Sequence, residues 1–340
     1  MNPTQQLLAQ LVAHTDCSTK EIRSFVSALM DGTVDGALAS ACITALRMKG
    51  ETTEEIVGAV HALRDHMKRV DAPGAFDIVG TGGDGAHTFN ISTTAAFVLA
   101  GAGVCIAKHG NRAASSKCGS ADVLEALGVN VQLTPESAAA VYREVGIVFL
   151  FAPLFHPALK QVGALRKTLG IRTLFNLLGP FANPAGTRIQ LIGVPSTSGL
   201  HRLAPVAQKL GYARALIVHS RDGLDEVSTS APTDAVLVER TRVKRLTIDP
   251  QKLGFKKPKK GALTGGDAVA NAAITRAILS GETGARRDIV VLNAAAGLYA
   301  AGVTRSIAQG ITHAHESIDT GRALRALESL ISASQKYSAL

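Results

Sequence analysis

The apolar positions of the first seventy residues recur every three or four places, which is the spacing of amphipathic helices. The segment STKEIRSFVSALMDG sets Ser18 and Glu21 at capping-box spacing, and TTEEIVGAVHALRDHMKRV does the same with Thr52 and Glu55. The segment between them, DGALASACITALRMKG, is periodic and ends on glycine. No strand pattern interrupts this region, so we predict an all-helical domain over residues 1–72.

After residue 72 the pattern changes to short apolar runs that alternate with helical segments. The runs FDIV, VCIAKHG, VNVQL, IVFLFAP, RIQLIGV, ARALIVHS and DIVVLNA have the character of strands. Alternation of this kind predicts an α/β domain with a mostly parallel central sheet over residues 73–159 and 185–340. Residues 160–184 have helical spacing and no convincing strand, so we expect them to return to the helical domain and make it discontinuous.

Composition narrows the choice of partners. The chain has 340 residues and a formal net charge of +9, which favours anionic partners, but only 4% aromatic residues, too few for a platform on which nucleic-acid bases stack. It has no apolar run long enough for a membrane span and no secretory pattern at its start. The four cysteines, Cys17, Cys42, Cys105 and Cys118, form no C-x-x-C pair, so we expect free thiols in a cytoplasmic protein.

A glycine-rich stretch, DIVGTGGDGAHTFNIS, lies between the strand FDIV and a helical segment. Gly80, Gly82 and Gly83 leave main-chain N–H groups uncovered next to a helix start, an arrangement typical of phosphate binding. Asn90 and the residues after it add side-chain donors. A flexible strand-to-helix turn is the alternative interpretation.

Two further loops also carry polar side chains. The segment KHGNRAASSKCGS, from Lys108 to Ser120, concentrates cations and hydroxyl groups and predicts a second phosphate site, with a solvated surface loop as the alternative. The segment RDGLDEVST carries Asp222, Asp225 and Glu226, which would repel a phosphate unless Mg²⁺ lay between them. A sugar bearing both a 5′-phosphate and a diphosphate would need all three loops.

Four segments, GTGGDGAHTFNIST, KHGNRAASSKCGSADVLEALG, LRKTLGIRTLFNLLGPFANP and DGLDEVS, together resemble the anthranilate phosphoribosyltransferase family, in order and over nearly the whole chain. The resemblance implies a small discontinuous helical domain, a larger α/β domain of the nucleoside phosphorylase/phosphoribosyltransferase type, and a homodimer formed through the helical domain. It also implies the reaction, in which the amine of anthranilate displaces diphosphate from 5-phosphoribosyl diphosphate (PRPP), a step in tryptophan biosynthesis.

The resemblance also assigns residues. Asn111 and Arg166 would face anthranilate, with Arg166 binding its carboxylate, and His109 is a candidate proton relay or a packing residue. Ser92, Asp225 and Glu226 would bind two Mg²⁺ ions. The residues implied to bind PRPP are Gly80, Gly82, Gly83, Asp84, Thr88, Asn90, Ile91, Ser92, Thr93, Lys108, His109, Gly110, Asn111, Arg112, Ala113, Ala114, Ser115, Ser116 and Ser120.

The chain departs from the family pattern at four positions, which would affect the second substrate rather than the metal. Ala113 and Ala114 stand where Ser or Val is common, Cys118 where Ser is common, and Leu154 where Arg is frequent. Two alternatives remain open at this point. One is a pyrimidine nucleoside phosphorylase of the same fold, and the other is an inactive relative that binds nucleic acid through its basic surface. We expect neither a membrane nor a nucleic-acid partner.

Overall fold

The computed structural model describes residues 2–113 and 117–337. A group of four helices is followed by a seven-stranded sheet with helices on both faces, which confirms the predicted fold class. Within the described residues, no helix is both long and apolar enough to cross a membrane.

The helical group consists of α1 (Pro3–Val12), α2 (Thr19–Met30), α3 (Gly36–Lys49) and α4 (Thr53–Asp65). Both predicted capping boxes are present: the Ser18 side chain accepts from the Glu21 N–H, and the Thr52 side chain accepts from the Glu55 N–H. Helix α2 packs on α4, and α1 packs on α3. Local capping and an apolar face toward neighbouring helices therefore account for this group.

The sheet has the strand order β3-β2-β1-β4-β5-β6-β7. The first five strands in this order are parallel, whereas β6 is antiparallel to both β5 and β7. The chain therefore runs from β1 to one side of the sheet and later from β4 to the other side. The strand bounds are β1 (Phe76–Gly80), β2 (Ile106–Gly110), β3 (Ile147–Phe151), β4 (Ile189–Gly193), β5 (Arg214–Ser220), β6 (Thr233–Glu239) and β7 (Arg242–Ile248).

The remaining helices cover the sheet or connect its strands. Helices α5, α13 and α15 pack together over one face, and α11 packs on β5 and β6 from the other. A 3₁₀ helix spans Gly179–Ala182. The bounds are α5 (Ile91–Gly101), α6 (Ser120–Ala126), α7 (Pro135–Val145), α8 (Ala152–Phe155), α9 (Leu159–Leu169), α10 (Phe175–Leu178), α11 (Thr197–Lys209), α12 (Ala268–Leu279), α13 (Ala285–Ala301), α14 (Ile307–Asp319) and α15 (Arg322–Lys336).

The segment after β3 packs on the N-terminal helices: α9 contacts α2 and α3, and α10 contacts α4. One buried apolar cluster joins α1–α4, α9 and α10 to α11 and to one face of the sheet, whereas a second cluster fills the opposite face. The helical layer is thus packed against the sheet through a shared core. The domain limits, 1–72 with 160–184, stay a prediction.

Two predicted strands are wrong. DIVVLNA lies inside α13, where every residue from Ile289 to Leu298 is buried, so the helix is apolar all round and its sequence is indistinguishable from a buried strand. VNVQL has the alternating burial of a strand, with Val129, Val131 and Leu133 inside, but it pairs with no described strand. The alternating apolar pattern of VNVQL therefore predicted correctly which of its side chains are buried. The segment is not a strand because its main chain is not paired with a described strand.

A close contact between α2 and α4 generates a stability prediction. A Cβ added to Gly58 would lie 2.4 Å from the main-chain oxygen of Thr19, so Gly58→Ala must push the two helices apart. We expect urea denaturation to show a loss of about 1–3 kcal/mol in the free energy of unfolding. Gly163→Ala in α9, where nothing lies within 4 Å, is the matched control and should gain roughly 0.5–1 kcal/mol. Equal stabilities of the two variants would contradict the packing described.

Candidate active site

The carboxyl ends of β1 and β4 lie side by side at the point where the chain changes direction across the sheet. Gly80 at the end of β1 pairs with Gly193 at the end of β4. In open α/β sheets, such a switch point leaves a crevice where ligands bind. The glycine-rich loop follows β1 directly, so the first predicted phosphate loop lies at this crevice.

Asp225 packs directly over these two strand ends. A Cβ on Gly193 would lie 1.6 Å from the main-chain oxygen of Asp225, and one on Gly80 would lie 2.3 Å from its carboxylate. The Gly82 N–H donates to Asp225 Oδ2 at 2.7 Å. The acidic loop and the glycine loop are thus in contact, and the two glycines are required because no side chain fits between strand end and carboxylate.

Burial and neighbouring charge raise the pKa values of the acidic pair. Burial is the main cause that raises the pKa of Asp225 to about 6, and the neighbouring carboxyl of Asp84 adds to it. Burial, followed by repulsion from Asp225, raises the pKa of Glu226 to about 8. The Ser92 N–H in the first turn of α5 donates to Glu226 Oε1 at 3.1 Å, so a helix N-terminus faces this carboxylate.

Lys108 lies in β2, within the predicted strand VCIAKHG, and its side chain is buried. Its Nζ donates to the main-chain oxygen of Ile78 at 2.6 Å. Burial lowers the pKa of this ammonium, while Asp77 and Glu226 act in the opposite direction. The lysine therefore has anionic neighbours within the protein itself, and Asp77 is in turn held by Asn183 Nδ2 at 2.8 Å. This buried network supports the floor of the crevice.

The start of α5 is tied to the second loop by side-chain hydrogen bonds. Asn90 Nδ2 donates to the main-chain oxygen of Cys118 at 3.3 Å, and Asn90 Oδ1 accepts from Asn271 Nδ2 at 2.9 Å. Ile91 and Thr93 are buried in α5, and Thr88 bridges to Thr264. Asn90 thus fixes the relative position of two predicted phosphate loops, a role the sequence did not indicate.

Arg112 forms contacts within its own loop. It donates to Asp122 at 2.9 Å and to both carboxylate oxygens of Glu125. The Ser120 hydroxyl, 2.2 Å from where a Gly110 Cβ would lie, donates to the main-chain oxygen of Asn111 at 3.2 Å. The Arg112 guanidinium is therefore balanced by Asp122 and Glu125 of α6, although the sequence suggested a ligand as its partner. Ala114, Ser115 and Ser116 lie outside the described residues.

Two buried histidines lie beside the crevice. The ring centroids of His109 and His156 are 5.2 Å apart. Burial, followed by His156, lowers the pKa of His109 to about 3, and burial lowers the pKa of His156 to about 4. The main chain of Gly179 acts on the His109 pKa in the opposite direction and is the weaker effect. These lowered pKa values favour neutral rings at physiological pH and disfavour an imidazolium role for His109.

Arg166 lies in the last turn of α9, and its neighbour Arg172 was missed by sequence reasoning. Arg172 Nη1 donates to the main-chain oxygen of Gly82 at 2.9 Å, where a Cβ on Gly83 would lie 1.8 Å from the same nitrogen. Gly83 also has φ +81°, a conformation that favours glycine. Burial and then the charge of Arg172 lower the pKa of Arg166. The signal for Arg172 was its position in the same motif, two residues after the glycine that ends α9.

Three of the four departures from the family pattern, Ala113, Cys118 and Leu154, lie among the described residues. Cys118 is buried, burial raises its pKa, and the atom that contacts Asn90 is its main-chain oxygen. The Ala113 N–H donates to Asp122 at 3.1 Å, and Leu154 packs against the sheet core.

The donor set at the crevice fits Mg²⁺. Among the described residues, no three His, Cys, Asp or Glu side chains are arranged to bind a metal by themselves. Mg²⁺ takes one or two carboxylates and completes its shell with water and substrate phosphate oxygens. Burial and mutual repulsion raise the pKa values of Asp225 and Glu226, and a divalent cation bound by both carboxylates would offset these two effects.

The raised pKa values predict how stability depends on pH when metal is removed. Raised folded-state values stabilise the fold below the ordinary carboxyl pKa, and that contribution is lost as pH rises through about 6 for Asp225 and about 8 for Glu226. With EDTA present, the free energy of unfolding should fall by roughly a few kcal/mol between about pH 5 and about pH 8.5. Glu226→Gln should flatten this decline in urea denaturation, whereas Glu328→Gln, an exposed control, should not. Equal slopes in all three proteins would refute the electrostatic assignment.

Comparison with known proteins identifies the family. Models described as the glycosyl transferase family match this chain over residues 5–67 for the helical bundle domain and 72–324 for the a/b domain. The anthranilate phosphoribosyltransferase of Geobacter sulfurreducens is 47% identical and covers 96% of this chain and 98% of its own. The solved structure of the Thermus thermophilus enzyme of the same name is 40% identical, with a TM-score of 0.90 and coverage of 97% of this chain and 99% of its own.

A second solved structure, the Saccharomyces cerevisiae anthranilate phosphoribosyltransferase in complex with PRPP and Mg, is 28% identical, with a TM-score of 0.90 and coverage of 98% of both chains. The same yeast enzyme has also been solved in complex with 4-fluoroanthranilate. Identity and coverage of this extent show that the chain belongs to the anthranilate phosphoribosyltransferase family.

Proposed function

We propose that the protein transfers the phosphoribosyl group from PRPP to the amine of anthranilate, releasing diphosphate and forming N-(5-phosphoribosyl)anthranilate for tryptophan biosynthesis. One observation carries the proposal beyond family membership. The glycine loop, the start of α5 and the acidic loop contact one another at the β1–β4 switch point, through the bonds of Gly82 to Asp225 and of Ser92 to Glu226.

We assign the binding of PRPP to the loops around this crevice. The glycine loop and the N-terminus of α5 carry main-chain N–H groups that suit diphosphate oxygens, and the loop after β2 suits the 5′-phosphate. Lys108 contributes its positive charge at the floor of the crevice. Its ammonium is not exposed there, because it is buried among Ile78, Asp77 and Glu226. The proposal covers the whole predicted donor set from Gly80 to Ser120.

We assign Mg²⁺, in two ions, to Ser92, Asp225 and Glu226. The buried acidic pair and the bound Mg of the yeast relative support this assignment. When bound, Mg²⁺ supplies Lewis-acid stabilisation of negative charge on the departing diphosphate. The protein contributes fixed carboxylates, whose position is set by the glycines of β1 and β4, so that little reorganisation is needed during the reaction.

The acceptor needs positioning more than activation. The aromatic amine of anthranilate is weakly basic and therefore neutral, so a strong general base is not required. Arg166 would bind the acceptor carboxylate through its two-pronged guanidinium, a geometry that lysine lacks. His109 stays neutral because burial holds its pKa near 3, so we assign it a hydrogen-bonding or packing role rather than proton relay.

We further propose a cytoplasmic homodimer formed through the helical domain. Val12 at the end of α1 is 66% exposed and Met48 near the end of α3 is 77% exposed, so apolar surface remains uncovered on neighbouring helices. Cys17, Cys42 and Cys105 are thiols outside any disulfide, which suits a reducing compartment. Analytical ultracentrifugation of wild type and of Met48→Glu tests the dimer.

A coupled assay of diphosphate release tests the proposed reaction. Release should require PRPP, Mg²⁺ and anthranilate together, and benzoate should not replace anthranilate because it lacks the amine. Phosphorolysis of thymidine, or salt-sensitive DNA binding without diphosphate release, would instead support one of the two alternatives.

Arg166→Ala should raise the KM for anthranilate roughly tenfold or more, because it removes a charge-assisted bond to the acceptor. The KM for PRPP should change little, since the donor loops lie elsewhere. Lys167→Ala, which removes the adjacent exposed cation of α9, is the matched control and should leave both constants near wild type. Steady-state kinetics with each substrate varied in turn measures both. Equal increases in the two constants would contradict the assigned role.

Replacing Asp225 by Asn and Glu226 by Gln should lower kcat by more than about a hundredfold. The amides preserve shape and remove the repulsion of two adjacent buried carboxylates, so the far-UV circular dichroism spectrum should stay that of wild type. Wild-type enzyme in EDTA should lose activity in the same way. Full activity of the double variant, or activity in EDTA, would rule out the metal assignment.

A further inference from the structure

A small cavity lies next to the crevice but shares none of its predicted substrate-binding residues. Its volume is about 110 Å³, well below the size of a typical organic-ligand pocket. It is lined from four directions: by Arg47 of α3, Thr81 after β1, Arg172 and Thr173 before α10, and the first turn of α11. We call it the α11 cavity. Its size suits a small inorganic ion.

The charge of the α11 cavity favours an anion. Three arginines, Arg47, Arg172 and Arg202, line it together with a single acid, Glu51. Glu51 is buried and already paired with Arg202. Arg47 forms no ion pair with any side chain in the described part of the chain, so Arg47 and Arg172 leave an uncompensated positive charge at the cavity.

The N-terminus of α11 adds a second favourable element. Ser196 caps this thirteen-residue helix by accepting from the Gly199 N–H, and Ser196, Ser198 and Gly199 line the cavity. The remaining first-turn N–H groups have no intrahelical acceptor, and the helix dipole places partial positive charge there. Helix N-termini with these properties bind phosphate groups.

A buried hydroxyl group provides independent support for a ligand. Thr173 lines the cavity and is only 3% exposed, yet its Oγ1 is shielded from solvent and makes no hydrogen bond with any described residue. Thr81 also lines the cavity, and its Oγ1 makes no hydrogen bond with a described residue either. An unsatisfied buried hydroxyl costs roughly 1–3 kcal/mol, and an anion that accepts from it would recover this cost.

We propose that the α11 cavity binds an oxyanion of the phosphate class, held by Arg47, Arg172, the Thr173 hydroxyl and the N-terminus of α11. Such an anion bridges the helical layer, through Arg47, to the sheet layer, through Ser198. It also contacts the arginine that bonds to Gly82, so its binding is linked to the conformation of the glycine loop. Inorganic phosphate and the diphosphate released by the proposed reaction are the two sources of this chemistry.

The test is isothermal titration of the full-length protein with inorganic phosphate and, separately, with diphosphate, both without Mg²⁺. Arg47→Gln and Thr173→Val should each weaken binding roughly tenfold, because each removes one donor to the anion. Arg325→Gln, an exposed arginine of α15, should bind like wild type, and Ser120→Ala, in the predicted PRPP site, should leave the Arg47-dependent binding unchanged. Added anion should also raise the Tm of wild type more than that of Arg47→Gln.

The variants separate the possible outcomes. If Ser120→Ala weakens binding and Arg47→Gln does not, the anion occupies the PRPP site and the proposal is wrong. Absence of binding of both anions to wild type also overturns it. If phosphate binds and Arg47→Gln weakens that binding, free phosphate is a ligand of the α11 cavity. If diphosphate binds in this way and phosphate does not, the ligand is the reaction product. Arg47 is exposed, so Arg47→Gln stays folded and decides the matter even if Thr173→Val does not fold.

Discussion

The burial of two adjacent carboxylates at the β1–β4 switch point is the constraint on which the rest of the site depends. Asp225 and Glu226 are removed from water and repel each other, which raises both pKa values. Such a pair is costly unless a cation and hydrogen-bond donors compensate it. The Gly82 N–H, the start of α5 and the buried Lys108 supply part of that compensation, and the proposed Mg²⁺ would supply the rest.

This constraint also explains residues that touch no substrate. Gly80 and Gly193 leave no room for a side chain because the acidic loop lies directly on the strand ends. Lys108 is buried beside Asp77 on the neighbouring strand, and Asp77 in turn accepts hydrogen bonds from Asn183, Gln190 and the His109 N–H. The contacts that compensate these buried charges therefore form a continuous series from the crevice, through the sheet, to the segment that connects the sheet to the helical layer.

Sequence patterns predicted the features that depend on residues close together in the chain. They missed features that depend on contacts between residues far apart in the chain. Capping boxes at Ser18 and Thr52 depend on residues three places apart, and both formed as expected. DIVVLNA was misassigned because a helix buried on all sides has no polar face to reveal its period. The contacts of Arg172 and Asn183 were missed because their partners, Gly82 and Asp77, lie about a hundred residues away, and the motif that contains Arg172 does not mark which residue it contacts.

The helical layer holds part of the catalytic geometry as well as a proposed dimer surface. Arg166, assigned to the acceptor, lies on α9, which packs on α2 and α3, whereas the donor loops belong to the sheet. Attack requires the reacting atoms of the two substrates to be positioned with a precision of a fraction of an ångström. The relative position of the helical layer and the sheet layer must therefore be fixed. Arg64 Nη2 donates to the Tyr212 hydroxyl at 3.4 Å, and Glu51 pairs with Arg202, so charged side chains of the helical layer contact the sheet layer at two places. A substitution at either contact would thus alter catalysis without touching a substrate.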